Sequence, residues 1–142
     1  MDLQELSDRQ EIVDLITRYT RAVDTKTFAP VDVFTDDAVL DYSATGGPAT
    51  NPSEALAWVA EMMQVFDRWQ HTIGQVSIEL AGDPVDRATA TAYFLNPMVL
   101  VEEAGEKLVE VGGYYHHELV RTPDGWRSRR LVEELVWERK PA

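Results

Sequence analysis

The feature that most limits what this chain can fold into is its second half, four consecutive strand-like runs joined by short turns. Gln70 to Ala81 alternates, with His71, Ile73, Gln75 and Ser77 on one face and Thr72, Gly74, Val76 and Ile78 on the other. Gly82–Asp83–Pro84 turns the chain into a long strand from Asp86 to Glu102, where Asn96–Pro97 suggests a bulge or bend midway. Glu103 to Glu106 is a hairpin turn. Lys107 to Thr122 follows, with a kink at Gly112–Gly113, and Pro123–Asp124–Gly125 leads into the last strand, Trp126 to Arg139. Strands joined by turns this short pair antiparallel, because a parallel pair needs a long crossover.

The first half supplies the layer that such a sheet must pack against. Between Glu11 and Asp24, Ile12, Leu15, Ile16, Tyr19 and Val23 recur at three- and four-residue steps, one face of an amphipathic helix. Ser7 with Gln10 reads as a capping box that starts this helix near Asp8. Asp24 ends it with a carboxylate against the negative end of the macrodipole, at a cost of several tenths of a kcal/mol, so another group should favour it there. Thr27 to Phe34 reads as a short helical turn broken by Pro30. Thr35–Asp36–Asp37 is a turn, Ala38 to Ser43 a short strand, and Ala44 to Asn51 a glycine-containing loop. Ser53 caps a second helix running to about Asp67, with Leu56, Val59, Met62, Met63 and Phe66 as its apolar stripe. Helices followed by a meander define an α+β fold, in which the sheet curls round the helices into a cone with one open, partly apolar mouth.

Composition narrows the chemistry. The 142 residues form one domain spanning 1–142, with a core of ordinary size. With no cysteine there is no disulfide, thiolate nucleophile or zinc–thiolate site. A net charge of −12 opposes binding to nucleic acid or an anionic membrane surface. The polar N-terminus and the lack of a long apolar run make a cytoplasmic protein the expectation. Phosphate-cradling loops, a GxSxG elbow, HExxH and calcium-loop spacings are all missing, so no metal or cofactor is expected and acid–base groups must carry any reaction.

His71, one of three histidines, is the strongest candidate. An imidazole can take a proton from carbon and hand it on, and a carboxylate on its second ring nitrogen would fix the tautomer. Asp24 could supply that carboxylate if the first helix crosses the strand start. The commoner fate of a lone histidine is a backbone-satisfied structural role. His116 and His117 are neighbours in a strand and point to opposite faces, Tyr114 sharing a face with His116 and Tyr115 with His117. Tyr42 turned inward would line a pocket, leaving Asp41 outward as a solvated charge, and the reverse orientation is nearly as open. Arg127, Arg129, Arg130, Glu133 and Glu134 read as exposed or paired across strands, and Met62, Met63, Phe66 and Trp69 as core or pocket wall.

The segments RYTRAVD (Arg18 to Asp24), TDDAVLDY (Thr35 to Tyr42), QHTIG (Gln70 to Gly74) and PDGWRSRRLVEELVW (Pro123 to Trp137) resemble the SnoaL-like branch of the NTF2-like superfamily, near the scytalone dehydratase and bile-acid dehydratase group. The resemblance implies an NTF2-like cone-shaped barrel, N-terminal helices on a curved, mostly antiparallel sheet, assembled as a homodimer or homotrimer. It implies a cofactor-independent lyase or isomerase, dehydratase-like, acting on a small apolar carbonyl-containing ring substrate of steroid or polyketide type. The alternative is a non-catalytic small-ligand-binding module. On this resemblance Asp24, His71 and Tyr19 are the catalytic group, and Tyr42, Tyr114, His116, Tyr93 and Trp69 the substrate-binding group. It also favours the Tyr114/His116 face as the inner one. The chain departs from the group in lacking its second pocket histidine near Ala92 or Tyr93 and the bile-acid branch's middle-strand acid near Tyr93.

Overall fold

The computed structural model describes residues 1–141. Its first helix, α1 (Leu3–Asp24), begins earlier than the sequence suggests. Asp2, not Ser7, is the cap, its Oδ1 accepting the Glu5 N–H at 2.8 Å. The extra turns were hidden because Leu3 and Leu6 are exposed and break the apolar periodicity. Ile12, Leu15, Ile16, Tyr19 and Val23 are all buried, as their spacing requires.

Thr27 to Phe34 is not helical. The Thr27 and Phe28 N–H groups both bond Ala22 O, closing α1, and Lys26, Phe28 and Asp32 hold positive φ values that no helix can contain. Strand β1 (Phe34–Asp41) absorbs the Thr35–Asp37 segment expected to be a turn. A short 3₁₀ turn (Ser43–Thr45) and the two-residue strand β2 (Ala49–Thr50) follow. Helix α2 (Pro52–Met63) is capped by Asn51, whose Oδ1 accepts the Glu54 N–H at 2.9 Å, and Pro52 takes the first position, where its missing N–H costs nothing. It stops short of Asp67, whose backbone and carboxylate engage Val99 O and the Val101 N–H and so start β3 (Arg68–Trp69).

Strands β4 (Thr72–Ala81), β5 (Arg87–Glu102), β6 (Gly105–Thr122) and β7 (Gly125–Arg139) form the expected antiparallel meander. The β5–β6 register runs unbroken from Arg87↔Val120 to Glu102↔Gly105, so Asn96–Pro97 makes no bulge. Pro97 O accepts the Gln70 N–H between β3 and β4, and its own nitrogen points to that same gap, where no ladder bond is lost. Irregularities fall elsewhere. Strand β4 carries an extra residue between Ile73 and Val76, and β7 carries extra residues opposite Glu118/Leu119 and Gly112/Gly113.

One pairing was not foreseen. Strand β1 lies parallel to β7, giving a mixed sheet in the order β2-β1-β7-β6-β5-β3, with β4 also on β5. The two helices pack on this curved, unclosed sheet, and the core is the space between them. Among the described residues no helix is long and apolar enough to cross a membrane.

Candidate active site

The last turn of α1 and the start of β4 meet at the sheet's concave face. Asp24 Oδ1 lies 2.7 Å from His71 Nδ1, and its Oδ2 accepts the His71 backbone N–H at 2.9 Å. Both side chains are largely shielded, with 8% of the His71 side chain and 13% of the Asp24 side chain exposed. These two donors explain how a carboxylate is tolerated at a helix C-terminus. A carboxylate only accepts, so the proton between the two side chains belongs to Nδ1, and in the neutral imidazole the lone pair is on Nε2. Trp69 stands behind this pair. Its Nε1–H donates to Val23 O at 3.4 Å, and Lys26 Nζ lies 5.0 Å from its ring centroid. It buttresses the helix end and does not line the cavity, contrary to its expected substrate-binding place.

His71 opens onto a cavity of about 490 Å³, within the range of small-molecule sites. Its walls are mainly apolar, with Met62, Met63 and Phe66 from one side and Leu100, Val109 and Val111 from the sheet. Tyr19 and Tyr42 also line it. Tyr19 is 2% exposed, meets Phe34 and Tyr115 edge-on at 5.7 and 6.0 Å, and its hydroxyl has no partner among the described residues. Burial, with a smaller effect from Glu133, pushes its pKa well above the ordinary phenol value, so it remains an O–H donor. Asn96 Oδ1, from a residue on the cavity wall, is likewise buried and without a partner among the described residues. An unpaired buried polar atom costs on the order of 1–3 kcal/mol, which a bound ligand or water would relieve.

Three expected site residues lie elsewhere. Tyr93, Tyr114 and His116 occupy the outer face of the sheet, Tyr93 being 46% exposed. There Tyr93 and Tyr114 pack edge-on at 4.8 Å, and His116 bridges Thr91 and Glu134 at 3.0 and 3.1 Å. The inner face of β6 carries Tyr115 and His117 instead. Tyr115 lines the cavity, stacked on Phe94 at 4.3 Å. His117 lies in the core with Nδ1 2.8 Å from Ser128 Oγ, and burial lowers its pKa to about 4, leaving it neutral.

A residue read as exposed is instead buried at the site. Glu133 is 8% exposed and lines the cavity, with Oε1 2.7 Å from Thr45 Oγ1. Burial raises its pKa to about 7, opposed only by the Thr45 hydrogen bond. The signal that could have found it is a change of parity. Trp126 and Ser128 point inward, then Leu131, Glu133 and Leu135 do, because β7 holds an extra residue at Arg129. The large apolar residues of the segment change from an even to an odd position between Trp126 and Leu131, which marks the bulge.

A cone of helices on a curved sheet with an apolar cavity and a few converging polar groups defines an NTF2-like small-molecule fold. The model of the SnoaL-like domain matches residues 4–132, and the chain belongs to that family. It is 34% identical over 140 residues to the uncharacterized protein Rv2910c of Mycobacterium tuberculosis, covering 98% of this chain and 92% of that one. Among solved structures it is similar to the Kfla4162 protein of Kribbella flavida, with a TM-score of 0.81, 29% identity and 95% of each chain covered. It also superposes on a type 2 hexachlorocyclohexane dehydrochlorinase, LinA, with a TM-score of 0.83 over 100% of this chain and 94% of that chain, at 20% identity, a likeness of fold alone.

Proposed function

We propose that this protein is a lyase or isomerase that uses the Asp24–His71 pair to remove a proton next to a carbonyl in a small apolar substrate. The observation that carries this reading is the 2.7 Å contact between Asp24 Oδ1 and His71 Nδ1 beside a mainly apolar cavity. In this mechanism Nε2 accepts the proton, and the carboxylate stabilises the imidazolium that forms. The unpartnered Tyr19 hydroxyl is a preorganised donor for the developing enolate oxygen, a contribution on the order of a few kcal/mol. The fold likeness to a dehydrochlorinase, an enzyme of elimination, agrees with a proton-abstracting site.

A second reading, a non-catalytic binding cone, is favoured by the same unpartnered Tyr19 hydroxyl and Asn96 carbonyl, which an inert ligand could satisfy. The two are separated by a screen of steroid, polyketide and terpenoid β-hydroxy ketones and enones for dehydration and isomerisation, with wild type beside His71→Ala. The lyase reading expects turnover that falls by about 10²–10⁴-fold in the variant, with an unchanged circular dichroism spectrum. A variant that turns over as fast as wild type contradicts it.

A further inference from the structure

We infer that Glu133 is the proton donor of this cavity, delivering its proton to a departing hydroxyl, so that the substrates are β-hydroxy carbonyl compounds that lose water. This rests on the lyase reading and deepens it. Glu133 lines the same cavity as His71, Tyr19 and Tyr115. Among the described residues its side-chain hydrogen bond is with Thr45 Oγ1 at 2.7 Å, and the same Oγ1 lies 3.2 Å from Tyr42 O. A hydroxyl has one proton to give. Thr45 gives it over the shorter contact to Glu133 Oε1, so Oε1 is held as an acceptor. Among the described residues Oε2 makes no hydrogen bond, and it is the oxygen left to carry the acid proton.

The groups that face Glu133 do not hold it ionised. Tyr19 from α1 and Tyr115 from β6 are phenols whose own ionisation its charge opposes. Asp24, behind His71, acts on Tyr115 in the same sense. Thr45 belongs to the 3₁₀ turn and Tyr42 caps it, and Glu138 and Lys140 line the cavity farther along the chain, paired with each other at 3.3 Å. Burial then sets the carboxyl near 7, where it is both present as the acid and able to release its proton.

The chemistry selects the leaving group. Chloride departs as a stable anion without a proton, but hydroxide does not. In the proposed step His71 Nε2 takes the proton from Cα, and the electron pair forms an enolate whose oxygen accepts the Tyr19 hydrogen bond. The pair then closes the carbon–carbon double bond as the Cβ–O bond breaks. The departing oxygen takes the Glu133 proton and leaves as water. Passing the imidazolium proton to the Glu133 carboxylate restores both groups, and the net change is a β-hydroxy ketone to an enone plus water.

The test uses the hydrate of benzalacetone and its β-(para-nitrophenoxy) analogue, whose leaving group departs as a stable phenoxide. Wild type should eliminate from both, and His71→Ala from neither. Glu133→Gln should lower water loss relative to phenoxide loss by about 100-fold, while its residual phenoxide release shows a folded cavity. An unchanged ratio in Glu133→Gln, or a wild type that releases only phenoxide, overturns the donor role and leaves the base reading intact. No elimination from either probe by wild type overturns the base reading and the donor role with it.

Discussion

Asp24 meets two N–H groups of one residue, and the backbone N–H of His71 cannot change its role. In Asp24→Asn the amide oxygen is drawn to that backbone donor, and the NH₂ group then faces Nδ1. The ring must turn to the tautomer with the proton on Nε2, and it loses its base. Activity should fall by about 10²–10⁴-fold in a steady-state assay of benzalacetone hydrate, and a variant with wild-type rates would show that the tautomer is not set by Asp24. This pair was legible because the apolar stripe of α1 fixes where the helix ends and the alternation from Gln70 fixes where the strand begins. Glu133 was not, because a single bulged residue exchanges the inner and outer faces of β7. Tyr114 and His116 lie on the outer face although the resemblance favoured them as the inner pair, because the alternation of β6 leaves its parity open when both faces carry a tyrosine and a histidine.

The packing of α1 on the meander depends on an ion pair far from the cavity. Arg121 on β6 holds Asp8 with two hydrogen bonds of 2.9 and 2.8 Å, and the Trp126 indole adds a third at 3.1 Å. The Arg121 hydrogen bond is the main cause that lowers the Asp8 pKa to about 2, burial opposing it. Because the folded value lies below the unfolded one, the pair stabilises fully above about pH 4 and its contribution is lost as pH falls towards 2. The gap corresponds to on the order of 2 kcal/mol. Asp8→Asn should therefore lower the thermal midpoint at pH 7 and make stability less sensitive to acid between pH 4 and 2. Equal acid sensitivity in variant and wild type, followed by circular dichroism, would show that Asp8 does not carry this linkage. Sequence periodicity found the buried face of α1 but passed over Asp8, a charge among apolar positions whose partner lies 113 residues away.

Across the whole molecule, the cavity carries a stability cost with the opposite pH sense. The folded pKa of Glu133, about 7, lies above its ordinary 4.5, so the native state is favoured at low pH and loses stability as pH rises from 4.5 through 7. That loss is roughly 3 kcal/mol, a sizeable part of the 5–15 kcal/mol by which domains are stable. Glu133→Gln should raise the thermal midpoint at pH 8 and change it little at pH 5, in a calorimetric comparison at matched salt. A variant less stable at both values would mean that the ionised carboxylate is not the burden described. At this scale the order of helices and meander was readable, because each strand pairs with its neighbour in sequence. The β1–β7 pairing was not, since it joins segments such as Phe34 and Ser128 that lie far apart in the chain and leaves no local pattern.

The central claim is that His71 presents a bare Nε2 to the cavity because Asp24 keeps the proton on Nδ1. Nitrogen-15 NMR of the His71 ring at neutral pH reads this directly. The account predicts a protonated Nδ1 and an unprotonated, lone-pair-bearing Nε2 in the wild type, reversed in Asp24→Asn. A proton on Nε2 of the neutral wild-type ring would contradict it, since that nitrogen could then accept nothing from a substrate.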